Sequence, residues 1–167
     1  IAASAGRVFG GFLLAMFVAI PLAYFFYYSP ASEKRAKLLL EALRFIPPLS
    51  LIPLLILWLG IGEAAKLSIV FLASFFPIYL NVFSGFKQID KSYKELAFML
   101  RLNRMERFKH IEFPASLPNI FTGLRLGFGY SWRALVGAEL IAASSGLGYL
   151  IGDAGEMSRT DKVFVGI

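Results

Sequence analysis

Residues able to do chemistry fall in two stretches. One is a charged segment at 87–113, where Glu95-Leu96-Ala97 precedes Arg101-Leu102-Asn103-Arg104 and then Ile111-Glu112-Phe113-Pro114. The other is an apolar run at 117–140 that carries Arg125, Trp132, Arg133 and Glu139. An ionisable side chain within such a run costs about 2.5–3.5 kcal/mol on insertion scales and marks an ion or solute pathway by default. At about 100° per residue, Arg125, Trp132 and Glu139 share one helical stripe, and Arg133 lies about 100° round from Trp132. Arg125 and Glu139 stand about 21 Å apart along the axis, too far to pair. Arg125 is placed to reach the nearer headgroups along its own stem. Arg133 lies deeper. It either faces a wet path, where it suits an anionic solute, or pairs with an acid on another helix. Glu139 stands at the outer mouth, as a gate or as a solvated group, with Ser145 just beyond it. Trp132, Arg133, Glu139 and Ser145 are the candidate lining of a translocation path.

Other chemistries lack their residues. There is no cysteine, so thiolate metal sites, disulfides and cysteine nucleophiles are excluded. His110 sits among Arg107, Lys109 and Glu112, the setting of a solvated loop rather than a metal or proton-relay site. Ser144-Ser145-Gly146-Leu147-Gly148 has no P-loop lysine and lacks the G-x-x-x-x-G-K spacing. This segment is therefore not a phosphate cradle. Gly123 and Gly127, extended by Gly129, form a G-x-x-x-G pair that lets helices approach closely, within the chain or against a second copy.

These residues are positioned by long apolar runs. The chain has 167 residues, 57% hydrophobic and 17% charged, with a mean hydropathy of +0.67. Soluble domains are about 45–50% apolar and about a quarter charged, so the excess suits lipid exposure. Spans are expected at 8–28, 45–60, 67–86 and 117–140, with a polar approach helix at 33–44 and the start of another span at 163. Pro47, Pro48 and Pro53 punctuate the second run and Pro77 the third. Each removes a backbone donor and kinks a helix, either as a packing bend or to shape a path. A start at Ile1 and an end inside Val163-Phe164-Val165-Gly166-Ile167 read as the interior of a longer polypeptide, cut at both ends.

Charge sets the orientation. Lys34, Arg35, Lys37 and Arg44 lie in one loop, and Lys87, Lys91, Lys94, Arg101, Arg104, Arg107 and Lys109 in another. Only Arg7, Lys66, Arg159 and Lys162 fall on the opposite side. The positive-inside rule places 31–44 and 87–113 in the cytoplasm. That excess accounts for the net charge of +6 without a nucleic-acid partner, for which no basic–aromatic module is present. Tyr24, Tyr27, Tyr28 and Tyr149 near span ends suit interfacial belts.

Within 87–113, Leu96, Met99, Leu100 and Leu102 recur at helical spacing, a turn follows at Arg101–Arg104, and a second short helical stretch leads on. Such a helix–turn–helix either presents an apolar knob to a partner groove or lies solvated at the membrane surface. Glu95-Leu96-Ala97, with Ile111, Phe113 and Pro114, resembles the signature of permease subunits of ABC importers: E-A-A, three residues, G, nine residues, I-x-L-P. The spacing matches throughout. Leu96 replaces alanine, Phe113 replaces leucine, and Arg101 takes the glycine position of the turn. A left-handed backbone there would cost arginine about 1 kcal/mol or more.

Ile46-Pro47-Pro48-Leu49-Ser50-Leu51-Ile52-Pro53-Leu54, Trp58-Leu59-Gly60-Ile61-Gly62-Glu63 and Ser145-Gly146-Leu147-Gly148-Tyr149-Leu150 extend the likeness. They are similar to permeases of the nitrate, sulfonate and taurine group, which also includes importers of thiamine-pyrimidine precursors. The resemblance implies an all-α, polytopic helix bundle of the type I importer (MetI-like) kind, forming one membrane domain over 1–167. It implies that Glu95, Leu96, Ala97, Arg101, Leu102, Asn103, Arg104, Ile111, Phe113 and Pro114 couple the permease to a cytoplasmic ATPase dimer. It also implies a second permease copy, an extracytoplasmic substrate-binding protein, and ATP and magnesium bound only on the ATPase. The alternative is an ion-coupled transporter or channel using Arg133 and Glu139 as one charge system.

Overall fold

The computed structural model of the chain describes residues 1–166, the side chains of Lys94 and Ala142 apart. Ile167, the last residue of the apolar run expected to open a further span, lies outside them.

Three long helices form the core: α1 (Ala2–Tyr28), α4 (Glu63–Lys87) and α7 (Phe113–Ala142). Between the first two lie α2 (Pro30–Arg44), a 3₁₀ turn (Pro48–Leu51) and α3 (Ile52–Leu59). Next come α5 (Lys91–Met99), α6 (Arg104–Arg107) and a single π-helical turn (Phe108–Glu112), and the chain ends with α8 (Leu147–Glu156) and α9 (Thr160–Gly166). No strand occurs among the described residues. Helix is forced by the setting, because in lipid every backbone donor and acceptor must be satisfied within its own segment or a closed barrel.

Each core helix has one packing face. On α1 the buried positions Ser4, Val8, Gly11, Ala15, Ala19, Ala23 and Phe26 recur at three- and four-residue intervals, placing small residues along one side. Phe9, Leu13, Leu14, Phe17 and Val18 cover the exposed side, as a lipid-facing surface should. The small stripe lets α1 lie close on α4, whose Val70, Phe75, Ile78, Tyr79, Val82 and Phe86 fill the centre. Helices α1 and α4 each satisfy the length and hydropathy of a membrane crossing.

The run expected as a span at 45–60 holds the 3₁₀ turn and α3, helical together over Pro48–Leu59, with the sharp bend at its entry. Helices α2 and α3 meet at an 81° bend. Its cause lies in Pro47 and Pro48: Pro47 is extended (ψ 126°) and the backbone restarts as a 3₁₀ turn, since the residue before a proline is pushed out of the helical region. The run expected as a span at 117–140 lies wholly inside α7, which tolerates Pro118 near its start.

Two opposite ends of the bundle result. Arg7 of α1, Glu63 of α4 and Glu139 of α7 meet at one end, whereas Tyr28, the α5–α6 pair and Glu112 meet at the other.

Candidate functional site: the α5–α6 segment and the charged ends of the bundle

Asp90 starts α5 by accepting the Ser92 backbone N–H at 2.8 Å, a side-chain cap for an orphan helical donor. Bonds from the Ser92 hydroxyl and amide hold the Asp90 carboxyl below its ordinary range. The helix stops at a Schellman motif. Leu102 N–H donates to Ala97 O at 3.1 Å and Arg101 N–H to Phe98 O at 3.0 Å, the paired bonds that satisfy the last carbonyls of a helix. The motif requires a left-handed residue at its turn, and Arg101 supplies it with φ 51°. The glycine-type turn is thus present without the glycine. Asn103 and Glu106 form a reciprocal capping box that starts α6.

This folding sorts the signature residues. Ala97 is buried under the turn, Leu102 and Ile111 are half-buried, and Glu95, Leu96, Arg101, Asn103, Arg104, Phe113 and Pro114 are exposed. Around them Tyr93, Phe98, Met99, Leu100 and Met105 also stand exposed. An apolar knob therefore projects among the cations Arg101, Arg104 and Lys109. His110 is exposed, its Nδ1 3.0 Å from Glu106 O.

Behind the knob sits a polar cluster that sequence reasoning missed. Tyr28 Oη lies 2.6 Å from both carboxylate oxygens of Glu112 and donates to them. Arg107 donates through Nε to Glu112 at 2.7 Å and through Nη2 to Tyr28 Oη at 2.6 Å. The Arg104 guanidinium stacks over the Tyr28 ring at 4.1 Å. Glu112 is only 1% exposed. Arg107 and Glu112 are five residues apart, about 140° round an α-helix. The π turn between them, with its i→i+5 bonding, brings them to one side. An acid directly before the apolar run was the available signal.

The opposite end holds a second network. Arg7, 8% exposed, donates to Glu63 through Nε and Nη2 at 2.6 and 2.7 Å. Its Nη1 donates to Glu139 Oε1 at 2.6 Å and to the Ser145 carbonyl at 2.8 Å. Lys66 Nζ adds a bond to Glu63 at 3.2 Å. Glu139, 1% exposed, also accepts from Ser4 Oγ at 2.9 Å and Gly148 N–H at 3.0 Å. Gly146 has φ 132°, and a Cβ there would strike the Glu139 carboxylate. A Cβ on Gly148 would strike the Val136 carbonyl. Only glycines let the α7–α8 turn close over this carboxylate.

The expected path residues are therefore separated. Glu139 is neither a solvated mouth residue nor a partner for Arg133; it is bonded inside the outer cluster. Arg7 and Lys66, read as loop cations, are buried there with acids. Trp132 packs against Val8, Val70 and Leu135. Ser145 is exposed and gives its carbonyl to Arg7. Arg133 has no carboxylate within ion-pair distance among the described residues. Instead it borders an apolar cavity of about 840 Å³ with Tyr130, Asn81 and Arg44, its guanidinium 5.9 Å from the Tyr130 ring. Gly123 packs on Asn81 and Ile78, and Gly127 on Ile78 and Ser74, all of α4. Gly129 faces open space, so the pair serves an intrachain contact and its extension does not.

Comparison with known proteins bears on the family. Residues 11–167 match the family described as the binding-protein-dependent transport system inner membrane component. The chain is 40% identical to SsuC of Bacillus subtilis (strain 168), a protein named for aliphatic sulfonate transport, over 94% of this chain and 57% of that protein. It is 36% identical to the taurine transport system permease protein TauC of Escherichia coli (strain K12), over 100% of this chain and 61% of that protein. It is 34% identical to the nitrate import permease protein NrtB of Synechocystis sp. (strain ATCC 27184 / PCC 6803 / Kazusa), over 99% of this chain and 60% of that protein. The chain thus spans about three-fifths of the length of these relatives. An all-helical membrane bundle, a signature-bearing α5–α6 segment and a match over nearly the whole chain carry one conclusion: this chain belongs to the inner membrane components of binding-protein-dependent transport systems, the permeases of ABC importers.

Proposed function

We propose that the chain forms the translocation path of an ATP-driven importer for a small anionic solute and receives the work of a cytoplasmic ATPase through residues 87–113. The observation that carries this reading is the α5–α6 pair: exposed Phe98, Met99, Leu100 and Met105 ringed by Arg101, Arg104 and Lys109. An apolar helix face with a charged rim fits a groove on a partner, and it lies at the bundle end that the charge distribution assigns to the cytoplasm. A second permease copy, an ATPase dimer holding ATP and magnesium, and an extracytoplasmic binding protein complete the assembly.

The anionic solute is supported by Arg133, which borders a cavity with no carboxylate at hand. The names of the relatives, for sulfonate, taurine and nitrate transport, run the same way. Transport then follows a two-state equilibrium biased by nucleotide and by docking. Replacing Glu95 together with the 101–104 turn is expected to leave membrane insertion intact and to separate ATP hydrolysis from uptake. Uptake of labelled taurine, nitrate or an alkanesulfonate at the unaltered rate per ATP by that variant would overturn the docking assignment.

A further inference from the structure

We propose that Tyr28 and Glu112 tie α1 to the docking segment, so that α1 travels with α5–α6 when the ATPase moves them. The proposal rests on the docking reading of residues 87–113 and goes beyond it by naming where the motion enters the bundle.

A docking segment has an obvious covalent path for force, into α7, which follows the π turn without a break. Nothing covalent links it to α1. The structure supplies a non-covalent link. The Tyr28 hydroxyl, in the last residue of α1, bridges both Glu112 carboxylate oxygens and receives two bonds from Arg107. Arg104, at the start of α6, covers the same ring. One tyrosine thus touches both ends of α6, at Arg104 and Arg107, and the last residue of the π turn, Glu112.

Apolar packing alone would allow sliding, and it is present as well. Phe108 of the π turn lies 4.5 Å from Tyr24 of α1 and 6.5 Å from Phe86 of α4, ring centre to ring centre. Aromatic contacts of this kind tolerate several orientations. The carboxylate does not: buried and charged, it is stable only while its bonds persist. Glu112 therefore makes separation of α1 from the docking segment unfavourable in any state that keeps it dry. Its five-residue reach to Arg107 exists only because the helix is locally π, a form that recurs as single turns at functional sites.

Tyr28 and Glu112 are accordingly positioning residues, and the test follows motion. These 167 residues hold no cysteine, so, once any cysteine outside them is replaced, spin labels can be introduced singly or in pairs at exposed Phe25, Met99 and Met105. In the assembled importer, the 25–105 distance is expected to stay narrow and equal with and without a non-hydrolysable ATP analogue. In Tyr28→Phe or Glu112→Gln it should broaden and shift with nucleotide. The tied fraction should fall by roughly tenfold or more, as expected for losing a hydrogen bond to a charged group.

If Glu112→Gln does not assemble, Tyr28→Phe keeps the ring and its packing and decides alone. With the labels at 25 and 105 carried instead on ketone-bearing unnatural residues, a short thiol cross-linker between cysteines at 28 and 112 should restore the narrow distance, which a purely structural role would not require. A 25–105 distance that changes with nucleotide in the unaltered chain, or stays narrow in Tyr28→Phe, overturns the tie. The label at Met99 reads docking separately. If the ATPase leaves its mobility unchanged, the docking reading fails and the proposal with it. If Met99 is immobilised while the 25–105 distance moves, only the tie is wrong.

Discussion

Arg101 holds a left-handed backbone, φ 51°, in a motif where glycine meets no Cβ penalty. The penalty for an ordinary residue is about 1–2 kcal/mol, and nothing within α5 offsets it, because the side chain projects into solvent. Arg101→Gly is therefore expected to strengthen the turn. Hydrogen exchange at the Arg101 and Leu102 amides, both bonded in the Schellman motif, should slow by about fivefold for about 1 kcal/mol. Unchanged exchange would mean that the left-handed turn is not where the strain lies. The same substitution should weaken binding to the ATPase if the guanidinium faces an acidic patch there. This turn was legible in the sequence, since the nine-residue spacing from position 101 to Ile111 fixes its place. The arginine's tolerance was not, because strain at one residue is decided by what the assembled surface gains from its charge.

At the scale of elements, the three core helices could be read from their apolar runs, and the α2–α3 bend only from its prolines. Of the two buried networks only one member showed locally, Glu112 as an acid before the apolar run. Each joins residues more than 50 positions apart in sequence, and no local period encodes such a meeting. The outer network illustrates how burial ranks its members. Glu63 has a 57% exposed side chain while that of Glu139 is fully buried. Water can therefore replace the Arg7 bond to Glu63, but nothing replaces the bond to Glu139. Glu63→Gln is expected to cost no more than about 1 kcal/mol, as for exposed pairs. Arg7→Gln strands the buried Glu139 carboxylate and should cost about 3–5 kcal/mol. Adding Glu139→Gln to Arg7→Gln should recover much of that loss, since the amide is neutral and still accepts from Ser4 and Gly148. Thermal unfolding of the detergent-solubilised chain measures all three. A double variant as unstable as Arg7→Gln alone would show that the network acts through packing rather than charge.

Across the whole molecule, burial changes the meaning of the charge count that set the orientation. Arg7 and Lys66 looked like loop cations on the outer side, but each is neutralised by a bonded acid. The other two cations counted on that side, Arg159 and Lys162, are both exposed. The opposite end keeps Lys34, Arg35, Lys37, Lys91, Arg101, Arg104 and Lys109 exposed, whereas Arg44, read as a loop cation there, borders the cavity with Arg133. Topogenic bias depends on lysines and arginines near the membrane ends, so the solvated asymmetry is steeper than the sequence suggests. These 167 residues hold no cysteine, so single cysteines introduced here, with any outside them replaced, report sidedness directly. Positions Phe98 and Met105 in the α5–α6 segment should react with a membrane-impermeant maleimide in inside-out vesicles and stay protected in intact spheroplasts. Position Ser144, exposed and next to the Ser145 that bonds Arg7, should show the reverse. Labelling of Phe98→Cys from the outer face would invert the bundle, place the apolar knob away from any cytoplasmic ATPase, and overturn the importer mechanism at its root.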